Sequence, residues 1–270
     1  MKIKAATIQF DVTEGDRDYN MRRAEEYLRA AAKDGAELLI LPEMWNSGFD
    51  FKRLLEYAED FNGETVSFLR ELARSLNVYL IGGSFAEKKN GKFYNSCPVI
   101  DGTGNIIAKY RKVHLFSHYL NEHRYFCPGE EWGFAEYAKD GEKVTLGLNI
   151  CYDLRFPEFA RNLALRGAKI FTVPAGWPCS RISEFELLCR ARAVENRIFL
   201  ICANYTDTRK KTYCGNSMIV SPFGEIIAKL ENAEGYVIGE MDLAVLDDPS
   251  TFNSIADRRQ FLDEIDDNQL

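Results

Sequence analysis

Apolar positions along the chain switch between two periods in a regular order. Residues 3–10 alternate as a strand does, and residues 18–33 place Met21, Ala24, Leu28 and Ala31 on one face at helical spacing. Residues 37–42 (ELLILP) form an unbroken apolar run, the pattern of a strand covered on both faces. Helical spacing returns at 64–76, with Phe68, Leu69, Leu72 and Leu76 on one stripe. VYLIGGS (78–84) predicts a strand, and YNSCPVID and IIAKYRK flank the turn GTGN as a hairpin. The same order then returns: a strand at 144–150, a helix at 157–166, a strand at 169–175, a helix at 183–196, a strand at 198–205 and hairpin strands within 213–231. A last strand is predicted at 236–242.

The repetition extends to the letters. GAELLILPEMW (35–45) aligns with GAKIFTVPAGW (167–177), and GNIIAK (104–109) with GEIIAK (224–229). Either match alone can arise by chance between similar strand contexts. Two in the same order and at similar offsets favour a duplicated half. The expected fold is α/β, a four-layer αββα sandwich with internal pseudo-duplication, parallel pairing within each half and antiparallel hairpins at the edges. No Pro/Gly/Ser-rich linker separates the halves, so residues 1–270 are expected to form one domain, with a core to about residue 245 and a tail over 246–270. Its acidic end, DRRQFLDEIDDNQL (257–270), is expected to be solvated or to wrap a dimer.

Composition narrows the partners. With 270 residues, 46% of them apolar, the chain can build one sizeable core. A net charge of −7 argues against nucleic acid or an anionic membrane as the partner. No apolar run reaches the length of a membrane span, and MKIKAATIQFDV lacks the features of a signal peptide. The seven cysteines are odd in number and contain no CxxC pair, which implies free thiols and a cytoplasmic setting. Most are expected to be small apolar fillers, with Cys189 in a helix and Cys97, Cys202 and Cys214 in strands.

In α/β sheets ligands bind beyond the carboxyl ends of strands. Three polar residues directly follow predicted strands: Glu43, Lys112 and Cys151. Singly, each has a plain structural explanation as a cap, a solvated charge or a core thiol. Together they make a nucleophile, a base and a cation. Cys151 in GLNICYDLRFPEFARNL stands before a helical pattern opened by Pro157, and a thiol at a helix N-terminus leans toward thiolate. A lysine about 4 Å away would add roughly 4 kcal/mol of attraction before desolvation, at an effective dielectric of about 20. Glu43 could take the thiol proton and return it to a leaving amine. Lys112 and the Tyr152 N–H could hold an oxyanion. Asp153 and Arg155 are read as structural charges that fix the strand-to-helix elbow.

LPEMWNSGF, YRKVHLF and GLNICYDLRFPE together resemble the three signature segments of the nitrilase (carbon–nitrogen hydrolase) superfamily. The likeness runs nearly end to end, from AATIQFDV to GEMDL. It implies the same αββα sandwich, a catalytic triad of Glu43, Lys112 and Cys151, and no metal or organic cofactor. It further implies that Glu122 in NEHRYFCPG positions the lysine and the substrate, and that the chain forms a homodimer. LPEMWNSGF, GWPCSR and ELLCRARAVENRIF look most like the omega-amidase branch, whose substrates are 2-oxo acid amides such as 2-oxoglutaramate. Such a substrate carries a carboxylate remote from its amide. Arg181 is the candidate to hold it, unless it pairs with an acid such as Glu184, and Trp177 is the candidate pocket wall. Other branches of the superfamily, acting on N-carbamoyl compounds, aliphatic amides or deaminated glutathione, remain open.

Two readings lie outside this class. His114, His118 and His123 cluster in HLFSHYLNEH; on a helix, His114, His118 and Glu122 would share a face as metal ligands do. A catalytically dead binding scaffold is the other.

Overall fold

The computed structural model describes residues 1–207, 212–248 and 253–258. Most of the expected tail, 259–270 included, lies outside them. The first half runs β1 (Lys2–Gln9), α1 (Arg17–Lys33), β2 (Leu38–Ile40), a short α2 (Leu54–Tyr57), α3 (Glu64–Leu76) and β3 (Tyr79–Ile81). It continues with β4 (Phe85–Lys89), β5 (Lys92–Ile100) and β6 (Ile106–Arg111). The second half runs β7 (Phe134–Lys139), β8 (Glu142–Leu148), α4 (Pro157–Leu165), β9 (Ala168–Pro174) and α5 (Ile182–Asn196). It ends with β10 (Phe199–Ala203), β11 (Ser217–Val220), β12 (Ile226–Leu230) and β13 (Gly235–Asp242).

β1, β2 and β3 pair in parallel, and β13 closes the sheet antiparallel to β1. β5 lies antiparallel to β3 and carries both β4 and β6. In the second sheet β8, β9 and β10 are parallel, flanked by antiparallel β7 on one side and β11–β12 on the other. The two halves therefore follow one plan. Even the register break recurs, at Val99/Ile100 in β5 and at Ile219/Val220 in β11.

Alternation sorts the side chains into layers. In β1 and β2, Ile3, Ala5, Leu38 and Ile40 join the second sheet's Leu146, Ile170 and Leu200 in one core. Their neighbours Ala6, Ile8 and Leu39 pack instead on Met21, Ala24, Leu28 and Ala31 of α1 and Leu69 and Leu72 of α3. α4 and α5 cover the second sheet through Phe159, Leu163, Phe185 and Cys189. The order is helices, sheet, sheet, helices. Local chemistry sets the helix ends: the Asp16 side chain accepts the Tyr19 N–H at the start of α1, and Asn77 takes the left-handed conformation that ends α3.

Two edge strands, β4 and β7, escape the periodicity. The second hairpin also begins later than the letters suggest. Gly215 and Asn216 both have positive φ, so β11 starts at Ser217. Cys214 therefore lies outside any strand, and it is not a free thiol: it forms a disulfide with Cys179, 35 residues away, with Cα atoms 5.1 Å apart. The expectation of seven free thiols is corrected here. The two cysteines stand on loops that a Pro178–Tyr213 bridge and a Cys179 N–H to Thr212 C=O bond of 2.8 Å bring together. Closing a loop of this length should stabilise the fold by about 4 kcal/mol on the chain-entropy account. Urea denaturation of wild type against Cys214→Ser, without reductant, should show that loss as a lower midpoint, with an m-value equal or higher because the unbridged denatured chain exposes more surface. Coincident midpoints would mean that the bond does not form in solution.

Candidate active site

Three strand ends converge between the sheets. The chain leaves β2 and turns sharply at Met44, whose φ is +47°, which carries Glu43 inward. Lys112 directly follows β6. Cys151 comes three residues after β8 and itself adopts φ +45°, a strained conformation for a non-glycine residue. It opens a 3-10 turn, Cys151–Arg155, that is held from within. Buried Asp153 accepts the Tyr110 hydroxyl at 2.6 Å, the Ile150 N–H at 3.0 Å and the His114 N–H at 2.9 Å. From α5, Arg192 donates to the Leu154 and Arg155 carbonyls at 3.0 and 3.1 Å. The elbow is thus tied down on both sides, and Asp153 plays the structural part its position suggested.

Lys112 Nζ lies 2.8 Å from Glu43 Oε1 and 2.9 Å from each oxygen of Glu122. All three side chains are at most 1% exposed. Glu43 is fixed at both oxygens: Asn95 Nδ2 donates to Oε1 at 2.9 Å and the Gly176 N–H to Oε2 at 3.1 Å. The Tyr205 hydroxyl donates to its carbonyl. Residue 176 must be glycine, because a Cβ there would collide with the Phe49 ring. Glu122 also accepts the Phe116 N–H at 2.6 Å, tying the 113–126 segment to the lysine.

The electrostatics differ from the sequence expectation at the thiol. Burial, then the nearby Glu43 carboxylate, push Cys151 well above the ordinary thiol range, and Lys112 opposes them without prevailing. The α-helix α4 starts only at Pro157, beyond the 3-10 turn, so its dipole does not end on the sulfur. Together these effects favour the protonated sulfur, with the Glu43 carboxylate nearby. Burial works to lower Lys112, but Glu122 and Glu43 outweigh it and raise its pKa. Burial, with the Glu43 charge, raises Glu122.

These side chains line a small cavity of about 100 Å³ together with Tyr152, Trp177 and Tyr213. Tyr152, second in the 3-10 turn, has an N–H with no partner inside that turn. Trp177 is buried, its main-chain N–H held by Asn204 at 2.6 Å. Arg181 lines the cavity and pairs with Glu184 at 2.8 Å, the acid named as its alternative partner. Arg155 also lines the cavity, and its guanidinium stacks over Trp177 at 4.6 Å. A larger groove of about 680 Å³ shares none of these residues.

The histidines do not converge. His114 is bonded to Asp153 at 2.8 Å and stacked on Phe156 at 3.6 Å, while His118 and His123 are exposed. Among the described residues no three metal-ligating side chains come together, which corrects the metallohydrolase alternative. Letters alone also missed Asn95, Tyr205 and Asn204. Asn95, an asparagine amid the apolar positions of a strand, was the visible signal, since buried amides require partners.

Residues 4–248 match the sequence profile of the family described as carbon-nitrogen hydrolase. The 2-oxoglutaramate amidase of Bacillus subtilis (strain 168) is 37% identical over 244 residues, covering 90% of this chain and 92% of that protein. Omega-amidase NIT2 of Homo sapiens is 36% identical over 252 residues, covering 90% of each. The crystal structure of a carbon-nitrogen hydrolase from Helicobacter pylori G27 superposes with a TM-score of 0.87 at 27% identity, over 100% of this chain and 99% of that one.

Proposed function

The chain belongs to the carbon–nitrogen hydrolase family, an enzyme acting on C–N bonds, and from that premise we propose that it is an omega-amidase. In this reading it releases ammonia from the side-chain amide of small 2-oxo acids such as 2-oxoglutaramate. One observation carries it: a single cavity is lined by a thiol, its base and a buried ammonium, and by two arginines as well. The first three suit acyl transfer from an amide; the arginines suit a carboxylate at the substrate's far end. The relatives at 36–37% identity support the same substrate class.

The geometry supports the following course of reaction. Glu43 takes the Cys151 proton as sulfur bonds to the amide carbon. Lys112 Nζ and the Tyr152 N–H stabilise the oxyanion. The C–N bond breaks as Glu43 returns the proton to nitrogen, and ammonia leaves a thioester. Water then gives a proton to Glu43 and attacks the acyl carbon, and the departing sulfur recovers that proton. Glu122 holds Lys112 throughout. The protein's own side chains provide every proton transfer.

Ammonia release tests this with five compounds: 2-oxoglutaramate, 2-oxosuccinamate, a simple aliphatic amide, an N-carbamoyl amine and a nitrile. The 2-oxo acid amides should exceed the others in kcat/KM by about a hundredfold or more, the scale set by one desolvated charge pairing. Preference for an uncharged amide would overturn the substrate assignment while leaving the amidase chemistry in place.

A further inference from the structure

Arg155 and Arg181 are bridged by one carboxylate. Arg155 Nη2 lies 2.6 Å from Glu184 Oε2, and Arg181 Nη1 lies 2.8 Å from Glu184 Oε1. Each oxygen serves one guanidinium, the arrangement a bound carboxylate would itself adopt. Both arginines are held from elsewhere as well, Arg155 through its guanidinium and both through their main-chain carbonyls. Arg155 stacks on Trp177 and its carbonyl is held by Arg192, while the Arg181 carbonyl accepts Trp177 Nε1–H at 3.0 Å. Glu184 stands in the first turn of α5 and does not line the cavity that both arginines line. Its own guanidinium partners, Arg155 first, hold its carboxyl below the usual range, so it is ionised at neutral pH.

Resting on the carboxylated-amide reading above, we propose that Glu184 sets the enzyme's selectivity. It is an internal carboxylate that occupies the Arg155–Arg181 pair in the empty enzyme and that the substrate's carboxylate must partly displace. Two carboxylates sharing one pair of guanidiniums repel each other. Glu184 uses one terminal nitrogen of each arginine and leaves further donors on both forks free for a second anion. The three charges sum to +1, which a single substrate carboxylate neutralises. Glu184 thus weakens the grip on anionic substrates, which keeps KM up and lets an anionic product leave.

The test is Glu184→Gln, which keeps the shape and one acceptor oxygen but removes the charge. Steady-state kinetics should show the ratio of KM for 2-oxoglutaramate to KM for a neutral amide falling about fivefold or more, as removal of one partly exposed charge implies, with the change in KM rather than kcat. Glutarate, which carries no amide, should become a tighter competitive inhibitor by a similar factor. A KM ratio and glutarate inhibition that stay put, or that move the other way, would overturn this inference while wild-type turnover of 2-oxoglutaramate keeps the function reading intact. A wild type silent on every carboxylated amide would remove both.

Discussion

Replacing Cys151 by alanine is expected to leave a folded protein whose ammonia release falls by at least about ten thousand-fold, the loss seen when a covalent nucleophile is removed from a concerted set. The geometry says why the fold survives. Without the thiol, the Glu43 carboxylate keeps Lys112, Asn95 and the Gly176 N–H as donors. No buried polar group is orphaned, and alanine removes one sulfur atom from a site that already contains a cavity. The stability change should be about 1 kcal/mol or less. Calorimetry should then detect 2-oxoglutaramate bound intact to the variant, because the arginine end of the cavity is untouched. Because burial and the Glu43 charge favour the protonated sulfur, the wild type should also alkylate slowly with iodoacetamide at neutral pH and faster as pH rises; a preformed thiolate would give a rate already level there. Cys179 does not confuse that experiment while it is bonded to Cys214. Residual turnover in Cys151→Ala above a hundredth of wild type would remove the nucleophile assignment.

The reaction residues were legible because each stands within three residues of a strand's end, and strands in a duplicated α/β chain can be counted from their periods. Glu43 and its counterpart Ala175 illustrate this: the Glu43 N–H bonds the Ala175 carbonyl at 3.3 Å, so the aligned positions of the two halves meet in space. That Arg155 also faces the cavity was not legible, because a spacing of four from Cys151 specifies a direction only on an α-helix, and the intervening turn is 3-10. The Cys179–Cys214 bond depends on two loops meeting across 35 residues, and no local pattern encodes that. Strand β4 escaped because FAEKK starts buried and ends in exposed charges, as edge strands do to resist pairing, so it never shows a full alternation. The thiol's protonation state was likewise not in the letters. It depends on how completely the sulfur is buried, and burial outweighs the lysine.

Lys112→Met should damage the protein twice, and the two losses separate. Removing the ammonium takes away the oxyanion partner, which should lower kcat by about a thousandfold. It also leaves Glu43 and Glu122 facing each other in a space from which water is excluded, at a cost of about 3–5 kcal/mol. The sign of the pH dependence follows. Burial already raises Glu122 in the wild type, and without Lys112 the Glu43 charge acts on it unopposed. A carboxyl with a raised folded pKa binds its proton more tightly in the folded than in the unfolded state, so stability is present at low pH and lost as pH rises through the folded value. Lys112→Met should therefore lose ground to wild type as pH climbs from just above the ordinary carboxyl value toward neutrality, and regain it on acidification. Adding Glu122→Gln to Lys112→Met removes one of the two opposed charges. The double variant should recover most of the lost stability in urea denaturation at pH 7 and flatten its pH dependence, yet recover none of the activity. Equal stabilities for the single and double variants at pH 7 would show that the two carboxylates do not confront each other there.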